Sequence, residues 1–265
     1  MVSEVESRLG ALVVEGCLTL MLYGVLTVQA YVFMLSCQKD SVFTKTIAFA
    51  VWTLESLVSA FMVHALYHYT MEIFGHPDLI DNMVWSAPSL YTADRIVVTL
   101  VQGYCVWRIW QLSAKSFSTI VPALLWIGRT AISFTILAFL WKFPTWTKIH
   151  QDHLTRQVII SCLSVGLASD IAVMAYMIHF LKRDQTGFKG TDHVIRAMIS
   201  STVNSGAGVV AASIGLLATY LSAKASLAFV GFITISSVSY ANMFFGLYVP
   251  VPFPLVLDIP SSHIP

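Results

Sequence analysis

The sequence predicts an all-α integral membrane bundle of seven transmembrane helices over residues 1–249, followed by a short Pro-rich tail at 250–265. Two observations carry this reading. Seven predominantly apolar stretches fill nearly all of the 265 residues, and each reaches the roughly 20 residues that a helix needs to cross a bilayer. Only 11% of the residues are charged, against about 25% in soluble domains. Inside hydrocarbon the backbone must satisfy its own polar groups, which leaves helices or closed barrels. Barrel strands alternate over about ten residues, and these runs are longer and continuously apolar.

The first stretch, Gly10 to Leu35, is too long for a signal-peptide core and lacks a small-residue cleavage site, so it reads as a retained anchor. It carries Glu15 toward one end, and Cys37 follows it as a candidate for acylation. The second, Thr46 to Met71, places Trp52, Ser59, Met62 and Leu66 on the face of Glu55. Its His64 and His68 fall on nearly the opposite face at about 100° per residue. The third, Ser86 to Trp110, holds Asp94 and a stripe of Tyr91, Arg95, Thr99 and Gln102. The fourth, Ile120 to Trp141, carries Arg129, and the fifth, Val158 to Leu181, carries Asp170 one turn after Gly166.

The sixth stretch, Val194 to Tyr220, shows a small and polar face of Ser200, Ser201, Asn204, Gly208, Ala211 and Gly215. The seventh, Leu227 to Val249, does the same with Gly231, Ser239, Asn242 and Gly246. Small residues let helix backbones approach closely in membranes, so both faces are expected to pack. Pro250, Pro252 and Pro254 then end the last helix, because proline lacks the amide donor.

With the N-terminus outside, Lys39, Lys45, Arg108, Lys115, Lys182, Arg183, Lys189 and Arg196 lie inside. Arg8, Lys142, Lys148, Arg156 and Lys224 lie outside. Basic residues favour the cytoplasmic side, so this asymmetry predicts N-outside and C-cytoplasmic.

Five charged residues sit near mid-depth: Glu55, Asp94, Arg95, Arg129 and Asp170. Charge in hydrocarbon is costly, so they are expected to form a buried cluster, with Arg129 pairing at least one of the three acids. Three acids against two arginines leave one negative charge, to be neutralised by a proton or a bound cation. Glu55, Asp94 and Asp170 are the catalytic candidates. Arg95, Gln102, Arg129, Asn204 and Asn242 are the candidate binding residues.

No metal-ligand spacing and no cofactor motif is present. The last helix has no lysine for a retinal Schiff base. A net charge of +1 without a basic stripe gives no ground for a nucleic-acid partner. The expected partners are the lipid bilayer and a lipophilic small molecule.

Several stretches resemble an uncharacterised fungal family of seven-helix membrane proteins of basidiomycete type, a domain of unknown function. They are Leu22 to Tyr31, His64 to Tyr69, Trp107 to Ser113, Asp170 with the loop Thr186 to Asp192, and Asn204-Ser-Gly. The chain departs from that family's pattern in the last helix, where Val238 replaces a lysine and Leu247-Tyr-Val-Pro replaces a terminal Asn-Ala-Arg. The resemblance implies fold, membrane location and fungal origin, and no activity. Three functional readings remain at this point. One is a receptor- or sensor-like bundle without catalysis. The second is a membrane enzyme on a lipophilic substrate, such as an acid-initiated isoprenoid or terpene cyclase, which needs a protonated carboxyl at the head of an apolar cavity. The third is a small-molecule or proton-coupled transporter.

Overall fold

The computed structural model describes residues 2–36, 41–72, 79–113, 117–143, 145–183, 189–222 and 228–248. The Pro-rich tail, Cys37 and residues 186–188 lie outside the described residues. The described residues form eight α-helices: α1 (Val2–Ser36), α2 (Val42–Tyr67), α3 (Ser86–Leu112), α4 (Ile120–Lys142), α5 (Trp146–Gln151), α6 (His153–Arg183), α7 (Lys189–Ser222) and α8 (Ala228–Gly246). A π-helical turn, His68–Glu72, extends α2, and a 3₁₀ turn, Phe117–Thr119, leads into α4.

Seven of these helices are long, and five are long and apolar enough to cross a membrane: Leu9–Ser36, Val42–Glu72, Ile120–Lys142, His153–Arg183 and Thr202–Leu221. The chain is therefore a multi-pass membrane protein. The stretch Val230–Gly246 in α8 is apolar but shorter. The 27-residue α3 falls outside the five because it carries polar and charged groups.

Packing explains why it can. Successive long helices touch around a ring, α1 to α2, α3, α4, α6, α7, α8 and back to α1, while α3 also reaches α6 and α8. Sixteen of its residues are buried, Asp94, Arg95 and Gln102 among them. A helix wrapped by protein need not be soluble in lipid, so polar side chains are tolerated there.

The outer helices show the reverse pattern. On α4 only Pro122, Arg129, Ser133, Ile136 and Leu140 are buried, a single stripe at three- and four-residue spacing. Leu124, Ile127, Phe134 and Trp141 point outward, as lipid contact requires. The apolar core divides into two clusters. One is built around Phe33, Tyr104, Phe244 and Phe245, the other around Met62, Tyr69, Leu140 and Trp146.

The second cluster is closed by a polar clasp. The Tyr69 hydroxyl donates to the Asn82 carbonyl at 3.0 Å and accepts from the Trp146 indole at 3.1 Å. Asp81 accepts from the Thr147 amide at 2.9 Å and its hydroxyl at 2.7 Å. Together they pin α5 across the α2–α3 connection. Asp152 caps α6, accepting from the Thr155 hydroxyl and from the Thr155 amide at 2.9 Å. Those hydrogen bonds hold its carboxyl below the usual carboxylate range.

Candidate functional site

The charged residues meet between the two apolar clusters, in two groups. The first is centred on Asp170 of α6. Its Oδ1 accepts from Gln102 of α3 at 2.8 Å, from Arg129 of α4 at 2.8 Å and from the Tyr240 hydroxyl of α8. Its Oδ2 accepts from Ser213 of α7 at 2.7 Å. Five helices thus share one carboxylate. Arg129 and Gln102 also donate to the Tyr240 oxygen, at 2.6 and 3.2 Å. Each of those nitrogens has two hydrogens, one for the carboxylate and one for the phenol.

Gly166 makes room for this pairing. A Cβ there would stand 3.3 Å from the Arg129 guanidinium carbon. The glycine thus leaves room for the side chain of Arg129. The expected Arg129–carboxylate pair is present, and Asp170 is the partner.

The second group lies on α2, α3 and α8. Arg95 pairs with its neighbour Asp94, and its guanidinium carbon lies 5.3 Å from the centre of the Tyr91 ring. Glu55, fully buried, accepts from the Ser237 hydroxyl at 2.5 Å, and Ser237 also lies beside Asp94. Glu55 pairs with no cation among the described residues, and its Oε2 has no hydrogen-bond partner. His64 lies against Trp85 with ring centres 4.9 Å apart and the rings tilted at 55°, and His68 bonds Glu72. Both histidines therefore stand apart from Glu55, in keeping with their phase on α2.

Two candidate binding residues are placed elsewhere. Asn242 donates to the Leu22 carbonyl of α1 at 3.3 Å and to the Val238 carbonyl at 2.8 Å, so it ties α8 to α1. Asn204 is exposed.

The expected packing face of α7 needs the same correction. Ser200, Asn204, Gly208 and Ala211 are exposed, while Thr202, Gly206, Val209 and Ser213 turn inward; Gly215 packs as expected, since a Cβ there would stand 2.7 Å from the Phe232 ring of α8. Both stripes are made of small residues, so hydrophobic contrast did not separate them. The partner requirement of Asp170 selects the one with Ser213.

Sequence reasoning passed over Ser213, Ser237 and Tyr240. A signal existed for the last two. Ser237, Tyr240 and Phe244 follow three- and four-residue spacing, and all three are buried. The sequence offered Gly231, Ser239, Asn242 and Gly246 as an equally regular stripe, and of these Gly231 and Asn242 face α1.

Space beside the carboxylates is small. A void lined by Gln102, Asp170, Met174, Gly206 and Tyr240 measures ≈ 10 Å³, at or below the roughly 10–15 Å³ that one water needs. A second void, of ≈ 20 Å³, is walled by Tyr91, Ile136, Leu140, Trp146, Ile159 and Ile233 and touches none of these acids. A groove of ≈ 420 Å³ between α4 and α6, lined by Thr135, Leu154, Gln157 and Ser161, is open to the surroundings.

Residues 166–247 match the model of a family of unknown function, DUF6534. That segment runs from Gly166 through Asp170, Ser213, Gly231, Ser237 and Tyr240. It therefore supplies the acceptor and two of the four donors at the Asp170 junction, while Gln102 and Arg129 lie outside it. No curated protein and no solved structure matches the chain.

Proposed function

We infer that the chain is a seven-span bundle, N-terminus outside and C-terminus cytoplasmic, acting as a receptor- or sensor-like protein without catalysis. The family resemblance supports the seven-helix count and the fungal origin that belong to this reading. One observation carries the function: Asp170 joins five helices through hydrogen bonds beside a void no larger than one water. A junction of this kind couples helix positions, because no partner moves without leaving a buried polar group unpaired. It also leaves no volume for a lipophilic substrate at the carboxyl, which counts against the cyclase reading.

Removing only the Tyr240 hydroxyl loosens the junction and keeps its bulk. Tyr240→Phe in nanodiscs is expected to shift the spin-label separation between cysteines placed at the exposed Gln111 of α3 and Lys182 of α6. An unchanged separation, with turnover of an isoprenoid substrate by the wild type, would move the reading to an enzyme.

Orientation has its own test. A reporter fused after Pro265 is expected to be protected from external protease in intact cells and cleaved after permeabilisation. Cleavage in intact cells would reverse every loop.

A further inference from the structure

Two acids and one arginine are buried together on α2 and α3: Glu55, Asp94 and Arg95. Arg129 is matched by Asp170, and Arg95 pairs with Asp94. The group therefore keeps one negative charge, and it falls to Glu55. That residue is 0% exposed, so its ionised carboxylate has neither water nor a counter-charge to stabilise it.

Three oxygens of this region have no hydrogen-bond partner: Glu55 Oε2, Asp94 Oδ1 and Ser59 Oγ. Ser59 stands one turn from Glu55 on the same face of α2 and is 6% exposed. Its hydroxyl behaves unlike others on this helix. Thr53 and Ser56 donate to the carbonyl four residues back, at 2.9 and 2.8 Å, whereas Ser59 makes no such bond. From α8, Ser237 donates to Glu55 Oε1 at 2.5 Å and lies beside Asp94. With its one hydrogen given to Glu55, its lone pairs stay open.

We propose that Glu55, Asp94, Ser59 and Ser237 hold a sodium ion within the membrane. Ionisable side chains at this depth commonly mark ion sites. A donor set made only of oxygen suits a hard cation and not a softer transition metal. The charge fits a monovalent ion, since a divalent one would leave an excess positive charge in a buried place. A proton carries the same charge, but it links only two oxygens and leaves the third unpaired. A cation takes all three at once. Ser237 sits close against Glu55, which favours sodium over the larger potassium. The bound ion ties α2 to α3 and α8, and it stabilises only the folded chain, in which the three helices meet.

Thermal unfolding of the full chain in detergent at neutral pH tests this, with sodium chloride exchanged for potassium or choline chloride at constant ionic strength. The wild-type Tm is expected to rise with the logarithm of sodium concentration, and to rise less with potassium. Glu55→Gln keeps the size and removes the charge, so its Tm should ignore the exchange. Ser59→Ala should still respond, at about tenfold more sodium, the scale of one contact to a charged group. A wild-type Tm equal in sodium and choline overturns the proposal and leaves a proton to neutralise Glu55. Potassium acting as strongly as sodium overturns the choice of ion. A sodium response that survives unchanged in Glu55→Gln shows an adventitious ion only. Should Glu55→Gln fail to fold, Ser59→Ala decides, and a sodium requirement equal to that of the wild type overturns the site.

Discussion

Asp170→Asn is expected to destabilise the bundle by about 3–5 kcal/mol, the usual cost of leaving one member of a buried ion pair without its partner. The substitution isolates charge. Asn keeps an oxygen where Gln102, Arg129 and Tyr240 converge. Its amide takes the place of Oδ2, where the Ser213 hydroxyl turns from donor to acceptor. What disappears is the counter-charge of Arg129, whose side chain is buried among Tyr240, Gly166 and α6.

Folded yield in detergent, read by size-exclusion profile and thermal unfolding, should fall sharply. Arg129→Gln added to it should restore part of the loss, because the unpaired cation is gone. Arg129→Gln alone should be nearly as harmful as the single Asp170 change. A double-mutant cycle without coupling would mean that the two residues do not act as a pair. Unchanged yield with abolished signalling in Asp170→Asn would instead make the carboxylate a switch element and not a structural one.

How far the sequence foretold this junction follows from what each residue type demands. Asp94, Arg95, Arg129 and Asp170 were legible because charge is expensive in lipid, so mid-helix position alone marks them as inward-facing. The long apolar runs were legible for the same reason. Partner choice was not, because serine and tyrosine are cheap enough in a membrane to occupy many positions. Ser213, Ser237 and Tyr240 carry no mark until an acid is known to face them.

The α7 error has a related origin. Its two candidate faces are both rich in Ser, Gly and Ala, so the period was visible and the phase was not. The central role of α3 is a contact property, and its high polar content was the only sequence sign that protein, not lipid, surrounds it.

Gly231→Ala is expected to destabilise the protein by roughly 1–3 kcal/mol, the range of an overpacked site, although only one methyl is added. A Cβ at this position would lie 2.0 Å from Glu15 Oε2, 2.4 Å from Glu15 Cβ and 2.7 Å from Glu15 Cδ. A carboxyl end can swing aside, but a Cβ is fixed by its own backbone. So α1 and α8 must separate, stretching the Thr19–Thr234 contact of 2.9 Å and the Asn242 bond to Leu22 of 3.3 Å. This sets an order among second-site changes. Glu15→Ala should rescue Gly231→Ala poorly, because its Cβ remains in place. Glu15→Gly should rescue it better, even after the cost of about 1 kcal/mol for glycine inside a helix, because the two glycines have simply exchanged helices. Thermal unfolding of the wild type and the three variants in one detergent measures the order. Equal rescue by Ala and Gly would confine the clash to the carboxyl. A harmless Gly231→Ala would mean that α1 and α8 do not approach this closely.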